Sequence, residues 1–327
     1  MIAYWKDEGA LEPRLERVVA LIAETTDSGD FPLRKLVAEA AAPSGKLLRP
    51  ALLLIGSDFG KKADPDRIER LAAAVEILHV ATLIHDDIID ESPLRRGKPS
   101  LYASAGTTQA VLAGDWLFSR CFYLAAQSAS PDNTRGLARL ISAICSAEIS
   151  QDLGKYEYPS SVRRYLRTIA GKTAALFSLA LYAGASEAKA GRAIERTLRR
   201  AGYGIGMAFQ MMDDILDFES EEGVMRKPVG RDIAEGLCTL PLVHALAVDE
   251  EDLRPLLSRV AAASGEERAA LAAEAASRAV SLGGVEAAKK DAQDYTERAL
   301  GEIRRLPSGG ERDELATLAR RLLHRTY

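Results

Sequence analysis

One acidic spacing occurs twice in this 327-residue chain and limits what it can become. Asp86, Asp87 and Asp90 close the stretch RIERLAAAVEILHVATLIHDDIID, and Asp213, Asp214 and Asp217 lie in GMAFQMMDDILDFE. Residues four apart share a helical face with Cβ atoms about 5–6 Å apart, so each triplet aims two carboxylates at one point. Left unpaired, they repel. Hard oxygen ligands so arranged suit Mg²⁺, which takes one or two carboxylates and fills its other positions with water and phosphate oxygens. A single triplet before a basic run is also the pattern of a solvated helix end. Two copies 127 residues apart, both set in apolar sequence, predict instead two walls of one metal site. Arg95, Arg96 and Lys98 follow the first copy directly, and guanidinium groups there can take phosphate bidentately.

The rest of the composition agrees with a helical scaffold for such a site. The chain is 47% hydrophobic with 13 prolines, and no Pro/Gly/Ser-rich linker divides it, so residues 1–327 read as one large all-α domain. A net charge of −4, with basic residues scattered or local to motifs, gives no electrostatic case for nucleic acid. No basic-then-apolar leader opens the chain, and no apolar run reaches the roughly 18 residues of a membrane span. A cytoplasmic location is the expectation. Cys121, Cys145 and Cys238 are far apart and odd in number, which disfavours disulfides or a zinc site and reads as three small core residues.

Apolar residues at Leu11, Leu15, Val18, Val19 and Ile22 set a helix over 11–25, and long helices are expected over 67–90, 101–127 and 136–152 with a turn at 130–133. Glu76 and His79 form a Glu-x-x-His pair, but a di-iron bundle needs a second such pair, and the sequence has none. Gly171-Lys172-Thr173 lacks the earlier glycine and the preceding strand of a P-loop. Gly202, Gly204 and Gly206 follow no strand either, and read as sites of close helix packing rather than a dinucleotide fingerprint.

Taken with GKLLRPALLLIG at 45–56, AGKTAALF at 170–177 and VMRKPVGRDIAEGLCTLPLV at 224–243, the paired motifs resemble the trans-isoprenyl diphosphate synthases, or polyprenyl synthetase family, over nearly the whole chain. The resemblance implies an antiparallel helical bundle around a central cavity, Mg²⁺ with three ions per active site, and a homodimer. It implies that Asp86, Asp90 and Asp213 are the principal metal ligands, with Asp87, Asp214 and Asp217 beside them. Lys46, Arg49, His79 and Arg96 would then hold isopentenyl diphosphate, while Arg95, Lys172 and Lys227 hold the allylic diphosphate. Thr173 would face the reacting carbon, Thr173 and Gln210 would stabilise the cation by their oxygen dipoles, and Gln151 matches a glutamine near the first metal site. Asp232 also matches. Two positions depart from the family: Arg226 replaces glycine, and Leu237 stands where many members have a phosphate-binding lysine, for which Arg226 or Arg231 could substitute.

No nucleophile sits in an activating setting, so covalent catalysis has no candidate. An ionisation and condensation needs none. In the family the fifth residue before the first aspartate is often the floor that stops product growth. Here it is Ala81, with Leu78 and Ile77 one turn back, which leaves room for medium-to-long polyprenyl diphosphates. The alternatives are a C15 to C20 (farnesyl or geranylgeranyl) synthase, a class I terpene cyclase, a noncatalytic synthase subunit, and a nonenzymatic metal-binding bundle. No membrane span is expected, and at most peripheral membrane contact for product release.

Overall fold

Capping residues mark where the helices begin. Asp64 accepts the Arg67 amide and Pro65 occupies the first helical position, so α4 (Pro65–Ile89) starts with its orphan N–H groups partly met. The structure is a computed structural model that describes residues 5, 10–27, 33–41, 45–95, 97–219 and 229–323. Before α4 come α1 (Leu11–Thr26), α2 (Leu33–Ala41) and α3 (Leu48–Asp58); after it come a two-residue antiparallel ladder, β1 (Leu94–Arg95) with β2 (Lys98–Pro99), then α5 (Leu101–Ala105), α6 (Thr107–Ser128) and α7 (Pro131–Asp152). Next are α8 (Val162–Ile169), a π-helical turn (Ala170–Ala174), α9 (Ala175–Glu187), α10 (Arg192–Glu219) and α11 (Arg231–Ala234). The chain ends with α12 (Leu240–Val248), α13 (Glu250–Ala262), α14 (Gly265–Ser281), α15 (Gly284–Arg304) and α16 (Gly310–Leu323). The all-α expectation holds.

Backbone packing divides the chain into two compact units, residues 1–138 with 179–199 and residues 139–178 with 200–327. In the first, α4 is the element on which others pack. Its residues 71–78 are buried without interruption, the pattern of a helix covered on every face, and α1, α3 and α6 cover it. Burying a side chain such as Ile77 or Leu78 contributes about 1.5–3 kcal/mol. Arg17 of α1 donates from Nε to both oxygens of buried Glu69 at 2.9 Å, which fixes the rotation of α1 on α4. A methyl at Gly184 would lie 2.0 Å from the Leu53 carbonyl oxygen, so α3 and α9 cross nearly in backbone contact.

The second unit gathers α12 to α15 around the later part of α10, whose Met207, Met211 and Ile215 are fully buried with Leu242, Leu246 and Val260. Gly202 and Gly206 are packing glycines, as expected. A Cβ there would come within 2.6 Å of the Phe177 carbonyl oxygen and of the Ala174 Cα respectively.

Three local expectations need correction. The helix expected over 101–127 is two helices, because Gly106 at φ +92° breaks the path between α5 and α6. The turn expected at 130–133 is the start of α7, with Pro131 at its first position. Cys121 is buried and Cys238 half-buried, but Cys145 is exposed. It follows Ile144 in the buried stripe Leu137, Leu140, Ile144 and Ala147, and one residue of helical rotation carries it outward. Among the described residues, no helix is long and apolar enough to cross a membrane.

Candidate active site

At the first aspartate motif, helical rotation separates three carboxylates into two kinds. Asp87 is buried, while Asp86 is half-buried and Asp90, the C-cap of α4, is exposed. Glu91 at φ +46° turns the chain, and the β1–β2 ladder, closing through Gly97 at φ +77°, brings Arg95 back onto the helix end. Arg95 Nε donates to Asp87 Oδ1 at 2.9 Å and to Oδ2 at 3.2 Å, and its Nη2 donates to Oδ1 as well. Ser100 Oγ donates to the Ser92 carbonyl at 2.6 Å and so fastens the base of the hairpin. Asp87 is thus an anchor, and the outward pair is Asp86 with Asp90.

The second motif repeats this division on α10. Asp214 is buried with both oxygens engaged: Tyr165 OH donates to Oδ2 at 2.7 Å, and Gln210 Nε2 donates to Oδ1 at 2.8 Å. The Gln210 carbonyl in turn accepts from Thr173 Oγ1 at 2.7 Å. Asp213 and Asp217 remain half-buried at the surface of the helix. Asp217 Oδ2 accepts the Asp232 amide at 3.1 Å, in the first turn of α11, and the Asp217 carbonyl accepts the Gly230 amide at 3.2 Å.

Lys172 and Thr173 sit on the π-helical turn between α8 and α9. A π turn widens the helix by one residue and is frequent at functional sites. Here it presents Lys172 to Glu148 of α7, at 2.9 and 3.0 Å, and Thr173 to Gln210. Lys172, Gln210 and Asp214 line a cavity of about 180 Å³ within the second unit, together with Gln151, Asp232, Leu237 and Cys238.

The electrostatics of this cavity are unbalanced. Burial pushes the Asp214 carboxyl up to about 7 against the two hydrogen bonds that favour its charge, and the Asp213 and Asp217 charges add to the rise. Asp217 is raised by burial and then by Glu235, and Asp232 is driven well above the carboxylate range by burial and by the Asp217 and Asp214 charges. A divalent cation would relieve that repulsion, so the residues present fit one. Among the described residues no three acidic, histidine or cysteine side chains form a closed cage. That suits an ion completed by water and phosphate oxygens rather than one held by protein alone.

The sequence profile of the polyprenyl synthetase family matches residues 32–277. The chain belongs to this family. It is 35% identical to heptaprenyl diphosphate synthase component 2 of Geobacillus stearothermophilus over 98% of this chain and 96% of that one. Among solved structures, geranylgeranyl pyrophosphate synthase from Lactobacillus brevis superposes with a TM-score of 0.91 at 35% identity, covering 99% of this chain and 100% of the other. A polyprenyl synthase from Caulobacter crescentus, complexed with calcium and isoprenyl diphosphate, superposes at 0.88 with 33% identity over 96% and 95%. This polyprenyl synthetase is therefore a prenyltransferase with the all-α fold of those enzymes.

In the polyprenyl synthetase chain, Thr173, Gln210 and Asp214 form one hydrogen-bonded cluster and Lys172 lines the same cavity as Gln210 and Asp214, while Lys46, Arg49 and His79 belong to the first unit. Lys46 precedes α3, and its carbonyl accepts Trp5 Nε1 at 2.6 Å; Arg49 lies in the first turn of α3, which packs on α4, the helix of His79. Ala81, Leu78 and Ile77 are fully buried along α4. Arg96, Arg226 and Lys227 lie outside the described residues. Arg231 is occupied by Glu235, Nε to Oε1 at 2.7 Å. Sequence reasoning gave no role to Tyr165, Glu148 or Arg164, and only a pattern match to Asp232. Tyr165 lies 49 residues from Asp214 and Glu148 lies 24 from Lys172, so no local spacing announced either pair.

Proposed function

We propose that this prenyltransferase condenses an allylic diphosphate with isopentenyl diphosphate and repeats the step to medium-to-long all-trans polyprenyl diphosphates. What carries the reading is the Thr173–Gln210–Asp214–Tyr165 chain beside Lys172, set within a family whose hallmark acidic spacing occurs twice. Lys172 binds the allylic diphosphate, and its pairing with Glu148 holds the ammonium at the cavity wall. Asp86, Asp90 and Asp213, with Asp217 beside them, would hold Mg²⁺, whose positive charge would stabilise the departing diphosphate; we assign three ions to each site. The Thr173 hydroxyl donates a hydrogen bond to Gln210 Oε1, which orients oxygen lone pairs of both groups for the allylic cation. Asp214, held by Tyr165 and Gln210, positions that pair. Lys46, Arg49, His79 and Arg96 hold isopentenyl diphosphate, and Arg95 and Lys227 add charge at the allylic group. The double bond of isopentenyl diphosphate attacks the cation, and the proton lost afterwards passes to the released diphosphate.

Several further assignments belong to the same reading. The family match runs through residues of both units, and their division falls inside α7, α9 and α10 rather than in a linker, which supports one catalytic domain. A second copy of this chain is the partner we favour. On α6, Val111, Leu112, Phe122 and Tyr123 are exposed, and the Arg120 guanidinium stacks 4.7 Å from the Tyr123 ring and 5.5 Å from that of Trp116. Tyr, Trp and Arg are the residues that dominate binding at interfaces. The name of the Geobacillus relative, component 2, raises the other case, in which a separately encoded chain completes the enzyme. We place the protein in the cytoplasm.

The test is incubation of the purified chain with isopentenyl diphosphate, an allylic primer and Mg²⁺, followed by product extraction and mass measurement, with light scattering of the same sample. Chains beyond C20 from a dimer support the proposal. Cyclised product, or elongation that needs a second polypeptide, overturns the corresponding part.

A further inference from the structure

The cavity of the second unit is lined by Ser161, the N-cap of α8, and by Arg164, Tyr165 and Thr168 of that helix, which follow at helical spacing ahead of Lys172. Its charges do not balance. Lys172 is matched by Glu148, whose side chain is only 15% exposed. Asp214 and Asp232 are acidic side chains on the cavity wall. Arg164 differs, because its partner Glu157 is 59% exposed, is not part of the cavity wall, and is met through a single 3.1 Å contact from Nη1. A surface pair of this kind is worth little and exchanges readily, leaving the rest of the planar guanidinium fork for another anion.

The fork is also given space. Gly154, which follows α7, is buried against it: a Cβ at that position would lie 2.0 Å from Arg164 Nη2 and 3.1 Å from its Cζ. The absence of a side chain at residue 154 is thus what lets the guanidinium lie on the cavity wall. Apolar Leu237 and, next to it, Cys238 line the same cavity, and the charge of Arg164 is felt at the Cys238 thiol. Of the two basic side chains among the described residues that line this cavity, Lys172 is paired with half-buried Glu148 and Arg164 with solvent-exposed Glu157.

We propose that Arg164 is a substrate-binding residue of this enzyme, gripping the diphosphate group that Lys172 contacts and supplying the positive charge that Leu237 does not. The assignment rests on the reading that Lys172 meets the allylic diphosphate. Because Gly154 holds the fork in place by its emptiness, residue 154 tunes the same contact without touching substrate.

Inorganic diphosphate with Mg²⁺ is the direct probe, titrated calorimetrically into the full chain, with steady-state kinetics for each substrate in parallel. Arg164→Gln is expected to weaken diphosphate binding about tenfold, as for loss of one charge-assisted contact, and to raise the KM for the allylic substrate by a similar factor. The KM for isopentenyl diphosphate should stay within about twofold. Gly154→Ala, which displaces only the end of a flexible side chain, should shift both quantities the same way by a smaller factor. Adding Leu237→Lys to Arg164→Gln should restore them. Unchanged diphosphate affinity in Arg164→Gln, a defect confined to isopentenyl diphosphate, or failure of Leu237→Lys to rescue would each overturn the proposal. If the wild-type chain binds diphosphate through Arg164 but elongates no allylic primer, the functional reading falls while the anion site stands.

Discussion

Each aspartate motif contains two kinds of residue, and they should fail differently when changed. Asp86 and Asp213 face outward, so Asp86→Ala or Asp213→Ala should leave the helical circular dichroism intact and lower turnover by at least about 100-fold, the scale on which one preorganised electrostatic contact acts. Near-normal turnover in either variant would remove the metal assignment. Tyr165 belongs to the other kind. Its hydroxyl satisfies a buried carboxylate oxygen, and burial and the Asp214 charge hold its own pKa well above the usual phenol range, so it is a permanent donor. Tyr165→Phe should therefore lower stability by about 1–3 kcal/mol, read as a shift of the urea midpoint at constant slope. It should also lower kcat, since Gln210 loses a fixed partner, and a variant with wild-type midpoint would show that Asp214 is not anchored through this bond.

Among the elements, the π turn of Ala170–Ala174 is the one whose removal is most informative. Deleting Ala170 converts the widened turn to regular helix, which α8 and α9 can accommodate, but it rotates Lys172 and Thr173 away from Glu148 and Gln210. The expected result is a soluble, cooperatively melting protein with turnover reduced about 100-fold or more, since displacements near 1 Å are enough for such losses. Retained activity would show that the turn is incidental. This element also marks where sequence reading stopped. The helices were legible because Leu11, Leu15, Val18 and Ile22 repeat at helical spacing, and the acidic pairs because four residues fix a helical face locally. In AGKTA, Gly171 and Thr173 weaken a helix without specifying a π turn over an ordinary one, so the π turn was not legible. Nor was the Tyr165 bond to Asp214, which depends on the packing of α8 against α10 rather than on spacing. Cys145 was misplaced for a smaller reason, a single residue of rotation past Ile144.

At the level of the whole molecule, the open question is how long a product this enzyme makes. Its relatives include both a heptaprenyl and a geranylgeranyl synthase at 35% identity, so similarity alone does not choose between them. Ala81, with Leu78, Ile77 and Ala74 behind it, forms a fully buried apolar stripe on α4. A growing chain following that stripe gains roughly 25 cal/mol for each Å² of apolar surface removed from water. Ala81→Tyr should shorten the products, measured by mass, while the first condensation continues. Because Ala81 is fully buried, the ring should also cost about 1–3 kcal/mol of stability, and a thermal melt separates that loss from the change in length. Identical product lengths in wild type and variant would place the floor on another helix.

The locked middle aspartates, Asp87 under Arg95 and Asp214 under Tyr165 and Gln210, bear on anyone who would build such a site anew. Written as Asp-Asp-x-x-Asp, the motif looks portable, a five-residue string to be grafted onto any apolar helix. In this chain each copy is completed by a donor the string does not contain, eight residues downstream in one case and 49 upstream in the other. A graft of the string alone would bury a carboxylate with no donor and lose the host several kcal/mol. The transplantable unit is the helix end together with its hairpin, or the helix together with the neighbour that carries the tyrosine.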